Sequence, residues 1–334
     1  MLSGSPFFTI AEHGKQSVFK TVAGLANAAA DRILDQPPAN PYARPVRNSP
    51  NPPWTAGLAE LAPAYDAAFC DVWGVIHNGA QAGPRAVEAL IRFRQAGGRV
   101  VLITNAPRTR TYVIQQMDEL GVDRGAYDEI VTSGDVARDL LAARGEARLL
   151  HIGSEVHRRL YDDLPVALVD EESCEVICCT GLFDDAHETP EDYVERMQRW
   201  RARDVPMLCV NPDIVVERDG RLIWCAGALA RRYRELGGTT EIVGKPFAPV
   251  YTAAFDHLAE LGSPVDPRKV LVIGDGAETD LRGAVRQQLD AVFVTGGVHA
   301  SEFGSRTAPS IDAVHEFLSA SGVGAIALMR ELAW

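Results

Sequence analysis

Asp71 ends the apolar run Ala67-Ala-Phe-Cys-Asp71-Val-Trp-Gly-Val-Ile76, and Gly74 opens a turn just beyond it. A buried strand there would carry the carboxylate to its C-terminal end, where open α/β sheets bind ligands. Three later strand ends offer complementary groups: Thr104-Asn105, Gly244-Lys245-Pro246, and Gly274-Asp275 with Asp280. Together they fit phosphoryl transfer through an aspartyl-phosphate. A carboxylate attacking a phosphate needs its charge repulsion cancelled, and a hard divalent cation such as Mg2+ does this. Asp71 and Asp275 can supply the carboxylate pair, with the main-chain carbonyl of Trp73 as a third ligand. Asp280 could orient a metal-bound water or Lys245. Thr104, Asn105 and the following Ala106-Pro107-Arg108 offer a hydroxyl and backbone N–H groups for phosphate oxygens. Lys245 offers a point charge for the transition state.

Each of these residues also has a plain structural role. Asp275 suits a turn, Asp280 the first turn of a helix, Thr104 a helix cap and Lys245 a surface position. Their occurrence together, in order, at strand ends is what favours chemistry. Other phosphate motifs fit poorly. Thr279 stands where a dinucleotide loop starting at Gly274 needs its third glycine, and Gly244-Lys245 lacks the flanking residues of a Walker loop.

The elements that would position these groups alternate regularly from Leu58. Strands are expected at 99–105 and 129–133, with helices at 84–96, 109–120 and 135–143. Such repeats argue a doubly wound, parallel, Rossmann-like sheet. A smaller α/β unit spans 146–239, with strands at 147–152, 175–180 and 206–211 and helices at 154–161, 190–203 and 227–236. It also carries a hairpin over 214–224, turned at Asp219-Gly220. The first pattern resumes with strands at 241–245, 269–275 and 291–295 and helices at 248–261 and 279–288, and one or two helices close the chain over 311–333. The organisation is thus a core over 56–145 and 240–334 with a cap inserted over 146–239. Residues 1–55 read as an extension, with an amphipathic helix over 16–34. The prolines from Pro37 to Pro53 make a stiff segment expected to stay out of a core.

Composition bounds the rest. A chain of 334 residues, 46% apolar and 23% charged, is ordinary for one large or two medium globular domains. A net charge of -12 gives no basic footprint for nucleic acid. No apolar stretch approaches the roughly 20 residues of a membrane span, and Glu12, His13, Lys15 and Lys20 interrupt any signal-peptide core. The cysteines at 70, 174, 178, 179, 209 and 225 form no CxxC pair and read as reduced, buried thiols of a soluble cytoplasmic protein.

Over roughly residues 58–300 the four ordered motifs resemble the haloacid dehalogenase-like superfamily of aspartate-nucleophile hydrolases. The cap position, after the second motif and before the lysine, resembles class IIA, the branch of 4-nitrophenyl, nucleotide and pyridoxal phosphate phosphatases. Asn211-Pro212-Asp213 is similar to that branch's substrate-specificity loop. The resemblance implies Asp71 as nucleophile, Thr104 as phosphate binder, Lys245 as charge stabiliser, Asp275 as magnesium ligand with Asp280 in support, and dimerisation through the cap. Its substrates would be small phosphorylated metabolites.

Trp73 departs from that pattern, because the family's phosphatases usually carry there a second aspartate that acts as general acid and base. Losing such a group typically costs about 10²–10⁴ in rate. Three outcomes remain open. His77, Asp213 or a cap residue replaces the acid; the substrate has a leaving group that needs little protonation; or the protein is a weak or inactive member that binds phosphorylated ligands. A dehalogenase is disfavoured, since it would not need the metal for which Asp71 and Asp275 are suited.

Overall fold

The computed structural model describes residues 47–218, 221–262, 264–305 and 307–334. The expected helix at 16–34, most of the proline-rich stretch and the Asp219-Gly220 turn lie outside the described residues. The central strand is β1 (Ala67–Cys70). Around it lie α1 (Pro84–Gln95), β2 (Arg99–Thr104), α2 (Arg110–Glu119), β3 (Glu129–Thr132) and α3 (Ser133–Arg144). After an insertion come α6 (Ala248–Glu260), β11 (Val270–Gly274), α7 (Arg282–Gln287), β12 (Asp290–Val294), α8 (Ile311–Ser321) and β13 (Ala327–Met329). The strands form a six-stranded sheet ordered β13-β12-β11-β1-β2-β3, with every pairing parallel.

Both faces of this sheet are covered, as an all-parallel sheet requires. Along β1, Ala67 and Phe69 point into one apolar layer with Tyr251, Ala254 and Leu258 of α6. Ala68 and Cys70 point into the other with Ala89, Leu90 and Phe93 of α1. That two-residue alternation is the strand period itself. Phe69 is buried and meets Phe255 edge-on at 5.0 Å. Truncating such a side chain to alanine costs about 3–5 kcal/mol.

The insertion contains β4 (Ala147–Ile152), β5 (Val166–Leu168), β6 (Val176–Cys179), α4 (Val194–Ala202), β7 (Met207–Cys209), β8 (Val215–Arg218), β9 (Arg221–Trp224), α5 (Ala226–Glu235) and β10 (Thr240–Ile242). It forms a five-stranded parallel sheet, β10-β7-β6-β4-β5, and the antiparallel hairpin β8-β9. The fold is therefore a doubly wound core with an inserted α/β cap.

Several elements differ from the sequence reading. The strand expected at 241–245 in the core is β10, and it pairs with β7 in the cap sheet. Lys245 therefore enters the core from the last cap strand. The expected helix at 154–161 is a tight three-residue-per-turn coil, Glu155–Tyr161. Residues 327–329, expected within a closing helix, form the edge strand β13 because Leu328 and Met329 add to the apolar layers beside β12.

Residues 48–55, expected to stay out of a core, run along that edge. Ser49 bridges Ala325 and Trp54 bridges Leu328. Asn48 clamps the next strand, donating Nδ2 to the Leu289 carbonyl at 2.9 Å and accepting the Ala291 N–H at 2.9 Å. Prolines tolerate this position because an edge segment leaves some N–H groups unused. Among the described residues no helix is long and apolar enough to cross a membrane, and all six cysteines are free and buried.

Candidate active site

From β1 the chain proceeds to β2 and β3 on one side of the core sheet, whereas β11 leads to β12 and β13 on the other. This reversal between neighbouring strands opens a crevice at their carboxyl ends. Asp71 and Asp275 are the first residues past β1 and β11. With Asp280, each offers a carboxylate oxygen within 4.8 Å of the others.

Lys245 ties two of the three together, its Nζ lying 2.6 Å from Asp71 Oδ1 and 2.8 Å from Asp280 Oδ1. The Val72 N–H donates to the same Asp71 oxygen at 2.7 Å. Asp280 Oδ2 accepts the Gly276 N–H at 3.1 Å, and Asp275 Oδ2 accepts the Val298 N–H at 2.7 Å. Burial, with Asp71 and Asp280 adding repulsion, drives the Asp275 carboxyl well above its ordinary range. Burial and Asp71 lift Asp280 to about 6 against the pull of Lys245. Burial also opposes the charge of Lys245, but Asp280 and Asp71 outweigh it and raise its pKa.

Three buried carboxylates facing one ammonium leave an excess of negative charge that another cation would relieve. The donors are all hard oxygens, which suits a magnesium-like ion better than a soft one. Since Asp280 is spent on Lys245 and Gly276, the carboxylates of the triad left to hold such an ion are Asp71 and Asp275.

Two glycines make the pocket around Asp275. A Cβ on Gly74, whose φ is +84°, or on Gly297 would overlap the Asp275 carboxylate. Gly297 and Val298 were missed by the sequence reading, although Thr295-Gly-Gly-Val298 directly after a strand is a usable signal. The Trp73 indole lies against Gly79 and meets the His77 ring edge-on at 5.3 Å. His77 accepts the Gly79 N–H at Nδ1, 3.1 Å, and burial lowers its pKa to about 4. It is neutral near pH 7, its free lone pair is taken, and it braces the turn.

Thr104 and Asn105 end β2. Thr104 Oγ1 accepts the Ala106 N–H at 3.2 Å, keeping its own proton available to an incoming oxygen. Asn105 holds the core and cap together. Its Oδ1 accepts the Lys245 N–H at 2.8 Å, and its Nδ2 donates to Asp213 Oδ1 at 2.9 Å and the Lys245 carbonyl at 3.3 Å. Gly244, at φ +98°, allows this approach, because a Cβ there would strike Ser133, Asn105 and Pro212. Ser133 is a third residue the sequence reading did not single out. In the cap loop Asn211 Oδ1 accepts the Asp213 N–H at 3.1 Å. Burial raises the Asp213 carboxyl while its bond to Asn105 opposes the rise.

Residues 68–166 match the haloacid dehalogenase-like hydrolase family, and residues 242–320 match a second, HAD-hydrolase-like model. A solved hydrolase of the haloacid dehalogenase-like family from Brucella suis 1330 shares 46% identity with this chain. The two superpose with a TM-score of 0.74 over 83% of this chain and 99% of that one. The chain belongs to the haloacid dehalogenase-like hydrolases.

More distant proteins extend the likeness. The D-glycerol 3-phosphate phosphatase of Mycobacterium tuberculosis is 27% identical over 257 residues, which is 73% of this chain and 67% of that protein. A glycerol phosphate phosphatase of that organism, solved with magnesium, is 23% identical with a TM-score of 0.55, over 76% of this chain and 78% of that one. The p-nitrophenyl phosphatase of Archaeoglobus fulgidus shares the fold at 19% identity and a TM-score of 0.64, over 80% and 96% of the two chains. In this chain Asp71 and Asp275 occupy the strand ends at the sheet reversal, and Trp73 stands two residues after Asp71.

Proposed function

We propose that the protein is a magnesium-dependent phosphomonoesterase that hydrolyses a small phosphorylated metabolite through a phosphoaspartate on Asp71. The observation carrying this reading is Lys245 bridging Asp71 and Asp280 beside Asp275, within a triad of carboxylate oxygens. In the first step a carboxylate oxygen of Asp71 attacks phosphorus in line. The new O–P bond forms as the bond to the substrate alcohol breaks, and the alcohol oxygen leaves with the electron pair. In the second step water attacks the same phosphorus, breaks the Asp71 O–P bond and frees phosphate. Lys245 lies 2.6 Å from Asp71 Oδ1 and lends its positive charge to the phosphoryl oxygens, while Thr104 and neighbouring N–H groups bind those oxygens. Magnesium, held by Asp71, Asp275 and the Trp73 carbonyl, would neutralise phosphate charge during attack. The mycobacterial relative solved with magnesium supports that choice of ion.

Trp73 cannot protonate the leaving oxygen. Asp213, with its raised pKa and its place across Asn105 from the Lys245 backbone, is the group we assign to that task. Asn211 shapes its loop. Dimerisation through the cap belongs to this reading and is checked by sedimentation. The reduced thiols fit a cytoplasmic setting.

Assaying 4-nitrophenyl phosphate and a metabolite-phosphate panel, with magnesium and with EDTA, tests the proposal. Turnover that needs magnesium and disappears in Asp71→Asn is expected. Measurable binding with no turnover anywhere on the panel would instead favour an inactive, ligand-binding member of the family, the reading that Trp73 keeps in contention.

A further inference from the structure

The carboxyl ends of the cap strands face those of the core strands. Past β7, Asp213 meets Asn105, and past β4 and β6, His157 and Thr180 meet the loop that follows β2. Arg108, in that loop, therefore lies between the two strand-end faces. Its Nε is 3.3 Å from His157 Nε2. An arginine can only donate, so His157 accepts at Nε2 and carries its proton on Nδ1. That proton goes to Thr180 Oγ1 at 3.0 Å, and the Thr180 hydroxyl donates to the Ile152 carbonyl at 3.3 Å. Burial, with Arg108 adding to it, lowers the His157 pKa to about 4, so the ring stays neutral and able to accept. The guanidinium also stacks on the Tyr112 ring at 4.1 Å. Among the described residues no carboxylate pairs with Arg108, whereas Arg94, Arg110, Arg124 and Arg196 each have one. Its two terminal amino groups have no hydrogen-bond partner there.

A cation fixed by stacking and by its Nε, with its remaining donors free, is prepared for a planar or tetrahedral anion at little entropic cost. We propose that Arg108 recognises a second anionic group, a carboxylate or phosphate, on the alcohol portion of the substrate. This inference rests on the phosphatase reading above and narrows its substrate class to phosphomonoesters of anionic alcohols.

Two matched substrate pairs test it, each with magnesium. The first is 3-phosphoglycerate against glycerol 3-phosphate, which differ by a carboxylate. The second is fructose 1,6-bisphosphate against fructose 6-phosphate, which differ by a phosphate. In Arg108→Gln the ratio of kcat/KM, anionic over neutral, is expected to fall at least tenfold for one pair, chiefly through KM. The pair that responds identifies the anion. Arg108→Lys, which keeps the charge but loses the fork, should fall between, and it replaces the glutamine variant should that one fail to fold. A bridging role alone would change both members of each pair equally, so ratios within twofold of wild type in both pairs overturn the inference. If the wild type turns over none of these esters, the phosphatase reading is decided separately, by the 4-nitrophenyl phosphate and metabolite panel above. Calorimetric titration of 3-phosphoglycerate and fructose 1,6-bisphosphate then decides. Tenfold weaker binding of either in Arg108→Gln supports the inference, and unchanged affinity for both overturns it.

Discussion

Lys245 holds Asp71 and Asp280 at once while its own backbone is gripped by Asn105. Removing a nucleophile and removing its charge partner should therefore differ in kind. Asp71→Asn is expected to lower kcat by roughly 10³-fold or more, whereas Lys245→Met should cost about 10²–10³. Both are read by steady-state assay against the wild type. Trp73 gives a sharper contrast. If Asp213 supplies the proton, Asp213→Asn should slow alkyl phosphates by about 10²-fold while sparing aryl phosphates, whose leaving groups need little help. Trp73→Asp should narrow that gap. Equal losses for both classes in Asp213→Asn would remove Asp213 from the role. That Asp71, Lys245, Asp275 and Asp280 would meet was legible from residue type at strand ends, because a carboxylate after an apolar run has few places to go, and the structure brings these four side chains together. His77 was not. Its bond from Gly79 and its contact with the Trp73 indole arise from a turn whose geometry no spacing reveals.

Gly74 and Gly297 belong to the turn after β1 and the loop after β12, and they close on Asp275 from two sides. Placing a methyl group at Gly297 should push the Asp275 carboxylate aside. Gly297→Ala is expected to raise the magnesium concentration for half-maximal activity by roughly tenfold or more, measured by metal titration of turnover. An unchanged metal requirement would show that this loop does not set the carboxylate position. Element types in the core were readable because the apolar period shifts cleanly between strand and helix. β10 was misassigned for a physical reason. A three-residue strand with half-buried side chains carries no period, and its sheet is chosen by the neighbour it meets, β7, well before it in sequence. β13 was lost similarly, since an edge strand of three buried residues looks like the tail of a helix.

Across the whole molecule, His77 and His157 are both held near pKa 4, below the ordinary value of 6.5. The unfolded chain takes up these protons first as pH falls. Their contribution to stability is thus complete above about pH 6.5 and is lost progressively toward pH 4, at most about 3 kcal/mol for each ring. The raised Asp275 and Asp280 carboxyls act in the opposite sense over the same range, so the effect is read as a difference: between pH 7.5 and 5 in urea, His157→Gln should lose less stability than the wild type. The segment 48–55 adds a second global test. Asn48→Ala breaks two bonds to the backbone beside β12 and should cost about 1–3 kcal/mol, read from the same denaturation curves. That segment was misjudged in the sequence because prolines signal an extended chain without saying what it lies against.

The same strap has a consequence for synthesis. Arg47 finds Asp290 across 243 residues, and His315 meets the Pro52 carbonyl across 263. The cap, by contrast, is one uninterrupted piece of chain. On the ribosome it can complete its sheet while the core still waits for its final strand to emerge. A nascent chain stalled after β10 should therefore protect the cap from protease and leave β1 to β3 open to cutting.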